Sequence, residues 1–383
     1  WLTVIFERFE RIPEDFSRTV ELEGEYTVVD EAFIGGLQSN AAIASLLASP
    51  EAQALLASPD TLALLSSPTI AGLLSSPEQM ALLLDPNLMQ IVLSGGLADQ
   101  PELMALVSNP TLQALLGNAS VRGILADPEA IALVFDPRTL TMLANPVDLP
   151  TQTFRVLLHR ERVATSVDGD TMFMNEQVKT QDPVTGVLIP GFDTTDVDLL
   201  VDRATKAYLE GSEQGRSGQW GLPFHTDKDT VYQGYVSAAR MPLELKYDGV
   251  EESVLGLDTL RFVVDTTSAP MGIDDPATGL PLVVDAKITI WVEPNTGAAV
   301  KADDLETVSA LAPSGAKFLR FQADVSYSGH TVETLVADTS SDRDQIVRLG
   351  TYLPWGIIGV GIVLLLVAGW LWYRGRPSTS AAS

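Results

Sequence analysis

Chemistry needs titratable groups that converge, and this chain supplies few. It has three histidines, His159, His225 and His330, and no cysteine. Thiolate metal sites and disulfides are therefore absent from its repertoire. The histidines lie far apart in the sequence, and they form no metal-ligand spacing, no Ser-His-Asp order and no glycine-rich phosphate loop. Asp193-Thr194-Thr195-Asp196-Val197-Asp198 offers carboxylates at a spacing that suits calcium, but the closing glutamate of a calcium loop is missing. The run reads instead as an acidic loop capping a helix over about 197–207. Trp220, Phe224 and Tyr232 either line a ligand site or fill a core. The residues predict no enzyme, no metal and no cofactor.

Charge narrows the partners further. With Lys+Arg 24 against Asp+Glu 50 the net charge is −26, the wrong sign for nucleic acid.

The elements that would carry a binding site are written most plainly between Asn40 and Pro146, where a nine-residue phrase recurs. Ser, Asp or Asn stands first and proline second, as in Ser49-Pro50, Ser58-Pro59, Ser67-Pro68, Asn109-Pro110, Asp127-Pro128 and Asp136-Pro137. The first residue caps a helix and the proline occupies its first turn at no cost. The next proline stops that helix about two turns later. Paired leucines recur on one face: Leu46 and Leu47, Leu55 and Leu56, Leu64 and Leu65, Leu73 and Leu74, Leu115 and Leu116. Two-turn helices do not stand alone in water, so the units must stack. Either they close on themselves, or they present these leucines to an apolar ligand such as a lipid, or to a protein of the envelope. Short helices punctuated by Asn-Pro and Asp-Pro are also similar to the client-binding domains of heat-shock co-chaperones.

Two further segments concern membranes. From Leu353 to Tyr373 there is no charge, aromatic residues stand at both ends, and Arg374 and Arg376 follow. This predicts a transmembrane helix over 352–373, a cytoplasmic tail over 374–383 and everything before it outside the cell membrane. Residues 1–6, Trp1-Leu2-Thr3-Val4-Ile5-Phe6, read as the end of an N-terminal transmembrane helix or as a first strand.

The rest alternates. Thr153–Leu158, Thr171–Met174, Thr259–Val264, Ala286–Val292 and Ala316–Phe321 predict strands, with turns at Asp168-Gly169, Asp248-Gly249, Asn295-Thr296-Gly297 and Ser328-Gly329. Tyr26–Val29 adds a strand from the N-terminal side. The expected fold class is α+β: an antiparallel β ectodomain (7–38 and 150–345), an inserted helical array (39–149) and the C-terminal transmembrane helix.

Gly218-Gln219-Trp220-Gly221-Leu222-Pro223-Phe224-His225-Thr226-Asp227-Lys228 with Val231-Tyr232 resembles a signature of the actinobacterial porin PorA-type domain family. Asp202-Arg203-Ala204-Thr205, Tyr247-Asp248-Gly249 and Trp291-Val292-Glu293-Pro294-Asn295-Thr296-Gly297 follow in the family's order, and Arg11-Ile12-Pro13-Glu14-Asp15 resembles its start. The resemblance covers the β region and both ends but not the helical array. It implies a membrane protein, although the chain lacks the run of strands of a membrane barrel. A β ectodomain with a helical apex between two anchors is also similar to the class B scavenger receptors, and that likeness implies an apolar ligand. The expected function is a membrane-anchored extracytoplasmic protein of the cell envelope that binds lipid or a protein partner. The alternative is a structural subunit of a surface assembly.

Overall fold

The computed structural model describes residues 11–47, 49, 51, 55, 58–65, 67, 87, 108–145, 147–348 and 352–374. Ten strands dominate it: β1 (Ser17–Val29), β2 (Thr151–Asp168), β3 (Thr171–Gln181), β4 (Thr194–Asp202), β5 (Tyr232–Val236), β6 (Met241–Val254), β7 (Leu257–Asp274), β8 (Pro281–Glu293), β9 (Ala298–Leu311) and β10 (Lys317–Tyr327). They form one sheet in the order β4-β3-β2-β1-β10-β9-β8-β7-β6-β5, and all its pairings are antiparallel. Most neighbours are hairpins. The long-range seam is β1 with β10, where Leu22 faces Tyr327 and Val28 faces Phe321.

Side chains alternate between two faces, as a pleated strand requires. In β3 the inner set is Met172, Met174, Glu176, Val178 and Thr180, all buried. Phe262, Val284, Val292 and Leu245 centre one inner cluster, and Val156, Leu257, Trp291 and Val300 another. The outer face exposes Arg155, Glu161, Lys179, Glu244, Lys246 and Glu251. A lipid-facing barrel needs an apolar band there.

The two edge strands meet. Leu209 N donates to Leu200 O of β4 (2.8 Å), Tyr208 N to Gly218 O (2.7 Å), and Gln219 N to Gln233 O of β5 (2.6 Å). Residues 207–208 and 219 thus act as short rungs joining β4 to β5. Arg216 locks this closure from inside: its guanidinium donates to Glu176 of β3 (3.0 Å), to Asp196 of β4 and to the Tyr208 hydroxyl (3.1 Å), and lies 5.0 Å from the Tyr235 ring of β5. Arg162 Nε donates to the second Glu176 oxygen at 2.5 Å. Burial works to raise the Glu176 carboxyl, but Arg162, Arg160 and Arg216 together hold it well below the usual carboxylate range.

Helices leave the sheet between β1 and β2 and return at the same point. Val29 faces Thr151, and Asp30 N donates to Pro150 O (2.8 Å). The described helices here are α1 (Glu31–Ser39), α2 (Ala41–Leu47), α3 (Pro59–Leu65), α4 (Pro110–Gly117), α5 (Ala119–Leu125), α6 (Pro128–Val134) and α7 (Pro137–Ala144). Asn109, Asn118, Asp127 and Asp136 cap α4 to α7 through their side-chain oxygens, with proline in the first turn of α4, α6 and α7. Phe33, Leu37, Ile43, Leu115, Val121, Ile124, Ala130 and Val134 make their shared core. Arg138 joins it to the sheet junction, pairing with Asp30 (2.9 Å) over the Phe33 ring (3.8 Å).

Several expectations need correction. The fold is mostly antiparallel β with few short helices, not α+β with a C-terminal transmembrane helix: among the described residues no helix is long and apolar enough to cross a membrane. The expected span contains a helix, α9 (Leu353–Arg374), with exposed apolar side chains such as Trp355 and Leu365. Thr194–Asp202 is strand, not loop and helix, because pairing with β3 and burial of Leu199 and Val201 override the capping pattern. Asp248-Gly249 is no turn but lies within a bulge of β6 between Tyr247 and Glu251. Ser328-Gly329 opens a helix, α8 (Gly329–Val347), whose Ser328 cap accepts from Thr331 N. Residues 1–6 and 375–383 lie outside the described residues, as does most of the repeat between 48 and 107.

Replacing Arg216 with Met should take from Asp196 its buried guanidinium partner, leave Glu176 with Arg162 and Arg160 alone, and cost about 3–5 kcal/mol in urea denaturation. The Glu176 pKa is depressed by folding, so this part of the stability is present above its ordinary value of 4.5 and disappears as pH falls. The variant should lose acid sensitivity together with stability.

Candidate functional site

The sequence-derived leucines occupy the helical cluster. Leu115 is buried in its core, Leu55 and Leu64 pack against that core half-buried, and Leu116 is half-buried. Leu46, Leu47 and Leu65 lie in α2 and α3 with undescribed side chains, while Leu56, Leu73 and Leu74 fall outside the described residues. Leu115, Leu55 and Leu64 thus share one core. The histidines are not brought together either. His159 contacts Glu21 (3.2 Å) and Gln181 (2.6 Å) on neighbouring strands, His225 N donates to Asn295 O (3.1 Å), and His330 stands in the first turn of α8. No group of three or more His, Cys, Asp or Glu among the described residues is arranged to hold a metal ion.

A different place concentrates chemistry. A cavity of about 1020 Å³ opens at one end of the sheet, between the chain leading into β1, the segments that close the barrel, the β8–β9 turn and α8. In a protein of net charge −26 it gathers five cations, Arg11, Arg18, Arg162, Arg203 and Lys206, with an aromatic wall of Phe16, Trp220 and Phe224. Glu14, Asp338 and Asp342 are the acidic members of the lining.

Each wall is fixed by its own hydrogen bonds. The Asp202 carboxylate accepts from Ala204 N (3.0 Å) and Thr205 N (2.7 Å), and this turn carries the chain into Lys206 at φ +58°. A lysine rarely adopts that conformation, and the surroundings must hold it there. Lys206 O accepts from Trp220 N (3.1 Å), and Lys206 Nζ donates to Thr296 O (2.7 Å) above the Phe224 ring (4.6 Å). Glu293 shapes the β8–β9 turn by accepting from Asn295 Nδ2 (2.7 Å) and Thr296 N (2.8 Å). Gly297, at φ +65°, then passes so close to the 222–223 backbone that a Cβ would sit 2.1 Å from Pro223 O. Arg203 anchors the approach to β1 through Ile12 O (2.7 Å) and Gly169 O (3.3 Å).

Three of the five cations are committed to neighbours: Arg11 to Asp170 (2.6 Å), Arg162 to Glu176, and Arg203 to backbone oxygens and Glu14 (3.8 Å). Arg18 and Lys206 have no carboxylate within 4 Å among the described residues. Lys206 is only 7% exposed. Burial, reinforced by Arg18 and opposed by Glu293 and Asp342, pulls its ammonium down to about 7. Burial also lowers Arg18 and raises Asp342. Trp220, tilted against Phe16 (5.5 Å) and under Arg162 (5.2 Å), has a buried Nε1–H without an acceptor.

Arg203, Trp220, Gly221, Phe224, Thr296 and Gly297 all belong to the motifs singled out in the sequence, and they converge here from three separate stretches. The model of the family described as Porin PorA matches residues 124–370, well over half of the chain. The chain belongs to the porin PorA family. Membership associates it with the membrane and the cell envelope. The matched region begins in α5 and takes in every cavity wall except the 11–20 approach to β1. A comparison with curated proteins finds no match.

Sequence reasoning missed Arg18, Lys206, Asp338 and Asp342. Lys206 alone left a signal, standing next to the Asp202-Arg203-Ala204-Thr205 motif.

Lys206 sets a pH dependence of known sign. Its folded pKa lies below the ordinary 10.5, so the folded state carries the full penalty of a buried ammonium below pH 7 and none above about 10.5. Lys206→Met should therefore raise the midpoint of thermal unfolding most at pH 6, with the gain shrinking as pH rises. Gly297→Ala should do the opposite at every pH, since backbone oxygens cannot give way to its Cβ.

Proposed function

We propose that this member of the porin PorA family is a non-catalytic, extracytoplasmic binding protein of the cell envelope that holds an amphiphilic ligand, a lipid, in the cavity at the end of its sheet. The carrying observation is the cavity itself: roomy, walled by Phe16, Trp220 and Phe224 on one side, lined by five cations, and with one buried donor, Trp220 Nε1–H, that the chain does not satisfy. Binding sites are characteristically concave and largely apolar with a few placed polar groups. The location agrees, because α8 borders the cavity at Gln345 and Ile346 and the exposed apolar helix α9 follows a few residues later. The charged outer face of the sheet supports a binding body rather than a pore through lipid.

A second reading rests on the helical cluster. Leu115, Leu55 and Leu64 pack into its own core, which would suit a subunit that packs its outer surface against a neighbour in an envelope assembly.

The two separate on extraction. Full-length protein purified from membranes should release a lipid to organic solvent, detected by mass spectrometry. Ala298→Trp, which fills the cavity from the start of β9, should release none while keeping its β circular dichroism. Absence of lipid from the wild type, together with no uptake of an apolar fluorescent probe, would leave the structural-subunit reading.

A further inference from the structure

Within the proposed cavity, and resting on that reading, we propose that Arg18, Lys206 and the Trp220 Nε1–H form a binding site for the phosphoryl headgroup of the ligand. Three facts on separate elements lead there. Arg18 on β1 and Lys206 on the segment after β4 line the same cavity, near enough that the Arg18 charge disfavours the Lys206 ammonium, with no carboxylate within 4 Å of either among the described residues. Two desolvated cations side by side are unfavourable unless an anion joins them. Lys206 spends one donor on Thr296 O and keeps two, and Trp220 supplies a third kind of donor that is already buried and lacks an acceptor. A tetrahedral oxyanion with several terminal oxygens can accept from all three, whereas an alcohol or amide headgroup offers too few acceptors and no charge.

The groups of opposite sign nearby are Asp338 and Asp342, lining the cavity from α8, Glu14, which pairs with Arg203 at 3.8 Å, and Glu293, which acts on Lys206. Glu293 is occupied by Asn295 and Thr296. Burial raises Asp342 against the opposing pull of Arg18, and Asp342 forms no ion pair within 4 Å with either cation among the described residues. The strained backbone of Lys206 is consistent with a side chain held for a ligand, since conformations of that kind cluster at functional sites.

Dodecyl phosphate, dodecanol and inorganic phosphate are the probes, titrated calorimetrically into delipidated full-length protein. The wild type should bind dodecyl phosphate more than about tenfold tighter than dodecanol, as expected for charged hydrogen bonds in a buried site. Lys206→Met and Arg18→Gln should each shrink that ratio to about threefold or less by weakening only the phosphate ligand. Equal binding of dodecyl phosphate and dodecanol overturns the phosphoryl site and leaves lipid binding standing. Binding of inorganic phosphate as tight as dodecyl phosphate keeps the oxyanion site but overturns the lipid reading, and binding of none of the three overturns both. Should a cationic variant fail to fold, Asp342→Asn serves instead: removing the negative charge opposite the site should tighten dodecyl phosphate, and unchanged or weaker binding counts against the proposal.

Discussion

One buried guanidinium holds the architecture together. A ten-stranded antiparallel sheet has two raw edges, and an open edge is a liability for any sheet. Here β4 and β5 are too far apart in the pairing order to be neighbours, and single backbone rungs from 207–208 and 219 bridge the gap. Such rungs carry few hydrogen bonds. Arg216 supplies the rest by reaching β3 and β4 through their carboxylates and β5 through an aromatic face. A lysine has one charge at one point and could not span three elements in this way.

The cavity is a by-product of that closure. Because irregular chain rather than a full strand joins the edges, the barrel wall between β4 and β5 has turns, and those turns present Lys206, Trp220 and Phe224 at one end. The β8–β9 turn then meets them through Gly297, whose lack of a side chain allows backbone to touch backbone. Closure, turn and cavity are one construction, and the unusual backbone of Lys206 belongs to it as much as the buried Arg216 does.

The sequence made parts of this legible and hid others for identifiable reasons. Alternation in 153–158, 171–174 and 259–264 marks real strands that bury one face, and 286–292 is strand as well, with the neighbours Trp291 and Val292 both buried. β4 was hidden because Asp193 to Asp198 carries the residue types of a helix cap; Asp196 is instead an inner-face carboxylate whose partner, Arg216, lies 20 residues on. The α8 helix was hidden because its polar run, Ala337 to Gln345, shows little periodicity, and only Ser328 announces it. The cavity's aromatic wall was visible as Trp220 and Phe224 but without a role. Arg18 left no signal and Lys206 only its place beside the Asp202-Arg203-Ala204-Thr205 motif, because a site made by folding three distant segments together leaves no spacing in any one of them.

The junction of the helical cluster with the sheet has a consequence for how such a chain can vary. The helices depart after Val29 and return at Thr151, positions that face each other in the β1–β2 ladder. Everything between them is, to the sheet, a hairpin loop. The entropy of closing a loop grows only as the logarithm of its length, so adding or removing whole capped helices changes that term by less than about 1 kcal/mol. Relatives of this chain are free to carry heads of very different size, or a bare turn, on an unaltered barrel.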